Sequence, residues 1–154
     1  MELKDLKKGI VKTTSSVEQT KKLAEDFAKI VKPFALVAFF ADLGAGKTAF
    51  VKGFAKNFGI EADVFSPSFS IVNEYFYSNT KKLVHCDFYR LFLNTEQEVY
   101  NTGFLDYLNN ENTIILVEWA EKILKFLPEV YFSVKIKSLT EKSREIKISL
   151  VNKN

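Results

Sequence analysis

Phe34-Ala35-Leu36-Val37-Ala38-Phe39-Phe40, followed by Ala41-Asp42-Leu43-Gly44-Ala45-Gly46-Lys47-Thr48, is the stretch that decides the fold. An unbroken apolar run bounded by glycines describes a buried strand. Thr48 to Phe58 then carries Phe50, Phe54 and Phe58 at helical spacing, with Lys52 and Lys56 off that stripe, and Gly59 as a stop signal. The phenylalanine stripe reads as core packing against a sheet. Strand, glycine turn and helix in that order make an anion site, because the turn points N–H groups inward and the helix adds its positive end. Phosphate suits the run Leu43-Gly44-Ala45-Gly46-Lys47-Thr48. Lys47 supplies a mobile positive charge to the outer phosphates, and the Thr48 hydroxyl is a ligand for Mg²⁺.

The full pattern G-x-x-x-x-G-K-[ST] has glycine where this chain has Ala41. Alanine fits there only if the backbone angle is ordinary, or with some strain. A chance Gly-Ala-Gly turn ahead of a helix with a surface lysine is the plain alternative.

At 154 residues the chain has the length of one domain, read here as residues 1–154. Hydrophobic residues at 47% and charged residues at 27% fit a soluble globular protein. The net charge of +3 is too weak to argue nucleic-acid binding by itself. Only Arg90 and Arg144 are arginines among 22 basic residues, so either one marks a place where a planar fork of donors is useful. Cys86 is the only cysteine, which excludes an internal disulfide and a cysteine cluster for zinc; no disulfide-linked partner is expected. Met1 to Lys8 lacks an apolar signal core, and no run is long enough to span a bilayer. The expected location is the cytoplasm, with no membrane association.

Along the chain, Gly9 to Thr13 reads as a short edge strand. Ser16 caps a helix, with Gln19 reaching back, and Pro33 ends the run. Phe69 to Tyr77 and Lys82 to Phe88 form a hairpin around Ser78-Asn79-Thr80. Thr95 to Tyr107 is helical with a break near Gly103, and Thr113 to Val117 is a second buried strand. Glu121 to Phe126 is a short helix stopped by Pro128. Tyr131 to Ile136 and Glu145 to Val151 alternate as two closing antiparallel strands. The fold class is α/β: a single P-loop NTPase domain whose mixed, mostly parallel central sheet is flanked by helices.

Glu118 ends the apolar strand Ile114-Ile115-Leu116-Val117. An acid at the C-terminal end of such a strand lies where ligands bind in open α/β sheets, and P-loop proteins use it to hold Mg²⁺; a solvent-facing glutamate is the alternative. Trp119 either walls the pocket or packs in the core, and the sequence leans to packing. In His85-Cys86-Asp87-Phe88-Tyr89-Arg90, the residues His85, Asp87 and Tyr89 would share one strand face. Asp87 could orient water or reach Mg²⁺ through water, and Arg90 could stabilise phosphate charge. Equally, the hexapeptide is a network anchoring the next loop. Ser66-Pro67-Ser68-Phe69-Ser70 reads either as a segment that senses the γ-phosphate or as an ordinary loop.

Taken together, the GAGKT run, Ser66 to Phe69, the His85-x-Asp87-x-Tyr89-Arg90 pattern and Glu118-Trp119 resemble the TsaE (YjeE) family of small bacterial P-loop ATPases. The likeness runs from about Thr14 to Arg144. It implies ATP and Mg²⁺ as cofactors and a role in making threonylcarbamoyladenosine in tRNA. It implies TsaB- and TsaD-type protein partners, with tRNA met through that complex. It implies that Gly44 to Ala49 wraps the triphosphate and that Thr48 and Glu118 serve Mg²⁺. Asp87 is implied to be essential, Ser68 to switch, Arg144 to contact nucleotide and Val17 to edge the adenine pocket. Catalysis would then rest on Lys47, Asp87 and Glu118. Three departures stand out: Ala41 for glycine, Ala49 for a frequent second threonine, and Ser68 for threonine. A small-molecule kinase and a nucleotide sensor without hydrolysis are the competing readings.

Overall fold

The computed structural model describes residues 1–61, 71–91 and 96–154. Its strands are β1 (Ile10–Thr14), β2 (Leu36–Ala41), β3 (Val72–Phe76), β4 (Lys82–Asp87), β5 (Thr113–Glu118), β6 (Val130–Ser138) and β7 (Arg144–Asn152). They form one sheet in the order β1-β7-β6-β2-β5-β4-β3. The centre is parallel: β6, β2, β5 and β4 run in one direction. Antiparallel pairings are confined to the flanks, where β3 joins β4 and β7 joins both β6 and β1. The expected hairpin is β3 with β4, and the two alternating closing strands are β6 and β7.

The helices are α1 (Leu3–Lys8), α2 (Val17–Ala28), α3 (Lys47–Lys56), α4 (Glu96–Asn101) and α5 (Phe104–Tyr107). A 3-10 segment spans Ala120–Phe126. Ser16 caps α2 by accepting the Gln19 N–H at 3.1 Å. Gln19 reaches back one residue further than a standard capping box, accepting from the Ser15 N–H at 2.8 Å. Gly103, in the left-handed region at φ 75°, separates α4 from α5. Residues 66–70, with Ser68 and the first two residues of the predicted strand 69–77, lie outside the described residues, as does Thr95. No helix among the described residues is long and apolar enough to cross a membrane.

Strand alternation divides the interior into two cores. Val37 and Phe39 of β2, Ile114 and Leu116 of β5, and Leu83 of β4 face α2 and α3. Leu36, Ala38, Ile115, Val117, Val84 and Cys86 face α4, α5 and the 3-10 segment. Phe27 of α2 meets Phe50 and Phe54 of α3 with ring centroids 6.1 and 5.7 Å apart, so the expected stripe is indeed core. At the crossing of α2 and α3, a Cβ on Gly53 would lie 2.4 Å from the Lys21 carbonyl oxygen, so only glycine permits this approach.

The strand starts two residues later than the apolar run suggests. Phe34 is not in the strand: it takes a left-handed φ of 75° and is 60% exposed, while its N–H donates to the Thr113 carbonyl at 2.8 Å. Pro33 and this turn set the entry to β2, which begins only at Leu36.

Candidate functional site

The C-terminal ends of β2, β4 and β5 open onto one cleft of about 580 Å³. Its floor is the turn from Ala41 to Gly46. Gly44 and Gly46 sit at φ 77° and 102°, the left-handed region in which a side chain is strained. The Ala45 N–H is turned inward to the Asp42 carbonyl at 3.1 Å. Among the described residues no main-chain carbonyl takes the N–H groups of Gly44, Lys47 or Thr48. A helix start leaves such donors unpaired, and these three residues line the cleft. Ala41 is the last residue of β2, in register with Ile136, and its φ lies outside the left-handed region. The missing first glycine therefore costs no backbone strain in this chain.

Alternation also fixes the acids. Glu118 shares the β5 face of Ile114 and Leu116, and Asp87 shares the β4 face of Leu83 and His85, so both project toward the α3 side. The two carboxylates are paired in register at the strand ends. Glu118 is 2% exposed, and the Nε2 of the buried His85 lies 3.5 Å from its Oε2. The Asp87 carboxyl is raised above its ordinary value, chiefly by burial and further by the charge of Glu118. The Tyr89 N–H, donating to its Oδ1 at 2.9 Å, works in the opposite direction.

Trp119 follows Glu118 in a left-handed conformation, φ 57°, which costs a non-glycine residue roughly 1–2 kcal/mol. That bend brings the indole back over the cleft. Lys47 Nζ rests 4.4 Å from its ring centroid, and the Tyr89 ring lies 5.0 Å away. Trp119 thus lines the cleft and also packs on the second core, against the sequence's lean to packing alone.

The structure gathers most of the expected residues. Leu43, Gly44, Gly46, Lys47, Thr48 and Ala49 line the cleft from the loop side. Asp87, Tyr89, Glu118 and Trp119 line it from the strand ends, and Val17 from the start of α2. Four sit elsewhere. Ala45 is buried beneath the loop, and its carbonyl accepts from Arg144 Nε at 3.0 Å. Arg144 also donates to the carbonyls of Thr140 and Ser143 at 2.9 Å, and borders an adjoining hollow shared with Ser16, Val17 and Ala49. His85 stands behind Glu118 rather than in the cleft. Arg90 is exposed and off the cleft. Because β4 ends at Asp87, Tyr89 is not on a strand face with Asp87; it reaches the cleft through the turn that follows.

Three residues were missed. Lys21 and Lys52 line the cleft from α2 and α3, one helical turn beyond Val17 and Thr48 respectively, a spacing the sequence does carry. Lys122 donates to the carbonyls of Tyr89 at 2.6 Å and Leu91 at 3.1 Å, holding the Asp87 turn against the 3-10 segment. No local signal predicts that long-range contact. The Thr48 hydroxyl and the two carboxylates are hard oxygen donors of the kind Mg²⁺ takes together with substrate phosphates. Among the described residues no group of three or more His, Cys, Asp or Glu side chains forms a metal cage of its own.

A parallel strand, a glycine turn capping a helix, and acids at the neighbouring strand ends define a P-loop α/β domain. The sequence model of the family described as "Threonylcarbamoyl adenosine biosynthesis protein TsaE" matches residues 14–146. The Bacillus subtilis tRNA threonylcarbamoyladenosine biosynthesis protein TsaE is 38% identical over 138 residues, covering 90% of this chain and 84% of its own length. The Rickettsia conorii protein of that name is 38% identical over 133 residues, covering 86% of this chain and 73% of its own. The crystal structure of YdiB from Bacillus subtilis superposes with a TM-score of 0.74 at 34% identity, over 91% of this chain and 84% of that one. The chain belongs to the TsaE family.

Proposed function

We propose that this protein is a Mg²⁺-dependent ATP-binding protein and ATPase that acts, with TsaB- and TsaD-type partners, in the threonylcarbamoyladenosine modification of tRNA. The observation that carries the reading is the row of unclaimed amides at the head of α3, facing two carboxylates across one cleft. The amides of Gly44, Lys47 and Thr48 grip the polyphosphate, and Lys47 leaves the Trp119 ring to neutralise its outer charge. Thr48 and Glu118 hold Mg²⁺, which supplies charge neutralisation at the phosphates when bound. Asp87, kept close to Glu118 by the register of β4 and β5, orients water and accepts its proton.

Arg144 and the hollow beside Val17 border the nucleoside end. Arg144 acts there mainly by fixing the Ala45 carbonyl and so the loop. With its guanidinium engaged by main-chain carbonyls and Arg90 off the cleft, the chain has no free arginine at the phosphates among its described residues. An arginine supplied from outside is worth roughly 10³ to 10⁵ in rate, so hydrolysis by the isolated chain is slow and partners stimulate it.

Calorimetry with ATP and GTP, with and without Mg²⁺, on the wild type and Lys47→Ala is the direct test. ATP binding that needs Mg²⁺ and Lys47 is the expected result; no binding by the wild type would overturn the reading. Turnover with the partner pair added, and label from the γ-phosphate appearing as inorganic phosphate, separates an ATPase from a kinase.

A further inference from the structure

We infer that Lys21 is a phosphate-binding residue of this cleft, reaching a nucleoside polyphosphate from α2 opposite the loop. The inference rests on the nucleotide reading above and adds a ligand-contacting residue on a second element.

Lys21 is half-buried and lines the same cleft as Lys47 and Thr48. It lies four residues after Val17, so both project from one face of α2, and both line the cleft. Its position is built rather than incidental. The Lys21 main chain rests directly on Gly53 of α3, where an added Cβ would meet the Lys21 carbonyl oxygen at 2.4 Å and its Cα at 2.6 Å. That contact fixes where the Lys21 side chain leaves α2.

Three neighbouring lysines pair with carboxylates. Lys22 and Lys29 pair with Asp26 at 3.3 and 2.9 Å, and Lys56 pairs with Glu25 at 3.2 Å. No carboxylate pairs with Lys21 among the described residues. A partly desolvated ammonium facing a cleft calls for an anion. The cleft's chemistry agrees: its lining carries Lys21, Lys47 and Lys52 against Asp87 and Glu118. If the two carboxylates are taken up by Mg²⁺, the ammonium groups of Lys21 and Lys47 remain for the polyphosphate. Ala49, in the same lining, contributes no side-chain donor.

The test is titration of ATP, ADP and AMP into the wild type, Lys21→Met and Lys21→Arg at two KCl concentrations, with the unfolding midpoint of each measured. Lys21→Met keeps the apolar stem and removes the charge. ATP and ADP binding should weaken by about five- to twentyfold, as for one charge-assisted contact that is partly screened, with a smaller salt dependence. AMP binding should change less, and Lys21→Arg should return ATP affinity to within about threefold of the wild type. Wild-type binding that Lys21→Met leaves intact would overturn the inference alone. Absence of wild-type binding would overturn the nucleotide reading itself, so the two failures are distinct. If Lys21→Met lowers the unfolding midpoint, Lys21→Gln repeats the comparison with a polar stem.

Discussion

Replacing Gly53 by alanine sets two effects of opposite sign against each other. Alanine is the better helix former by roughly 1 kcal/mol, so propensity alone makes Gly53→Ala stabilising. The structure says otherwise. The added methyl would lie 2.4, 2.6 and 2.9 Å from the carbonyl oxygen, Cα and carbonyl carbon of Lys21. All three are main-chain atoms of a helix, so no side chain can swing away. Ordinary contact begins near 3.4 Å, and α2 must therefore withdraw by about an ångström at this crossing. That pulls on the Phe27 contacts with Phe50 and Phe54. Overpacking of this kind costs about 1–3 kcal/mol, and with backbone as the obstacle the upper end applies. After the propensity gain, a net loss of about 1–2 kcal/mol remains. For a chain of this size that lowers the thermal midpoint by about 2–8 °C. Calorimetry or circular dichroism reads it, and Gly53→Ser should be worse still. A midpoint that rises by the amount helix propensity predicts would refute the close approach. Because α2 carries Val17 and Lys21 into the cleft, the same variant should also weaken ATP binding.

Three further outcomes follow from particular contacts. Ala41→Gly should lower stability by about 0.5–1 kcal/mol and leave ATP affinity within about twofold, since Ala41 is an ordinary strand residue; a clear gain in affinity would mean that the alanine strains the loop. Lys122→Met should lose about 1–2 kcal/mol in urea unfolding and alter Trp119 emission, because two carbonyls lose a charge-assisted donor at a partly exposed site; an unchanged midpoint and spectrum would count against the tie. Asp87→Asn should stabilise the nucleotide-free protein in EDTA. The folded state raises the Asp87 pKa above its unfolded value, so ionised Asp87 weakens the fold at neutral pH. That gain should be full above the raised pKa and vanish as pH falls below the ordinary carboxylate value, where wild-type Asp87 is protonated folded or unfolded. A midpoint difference independent of pH would contradict it.

The loop residues were legible because the signal is local: Gly44 and Gly46 are needed for their own backbone angles, and Lys47 follows at a fixed offset. Glu118 was legible for the same reason, as the acid that ends an apolar run. Tyr89 and Trp119 were less so. Their meeting over Lys47 depends on a strand that stops at Asp87 and on a left-handed turn at Trp119, and neither the alternation nor the residue types encode where a strand stops.

By itself the sequence determined the order of strand, turn and helix, the two-sided burial of β2 and β5, and the residues of the phosphate-binding turn, because each depends on neighbours a few positions apart. Only the tertiary structure decided that Lys21 and Lys52 face the cleft, that Arg144 braces Ala45 across 99 residues of sequence, and that Arg90 stays outside. Those placements depend on how closely α2 settles on α3 and on which strand lies beside which, distances that arise only when separate elements pack.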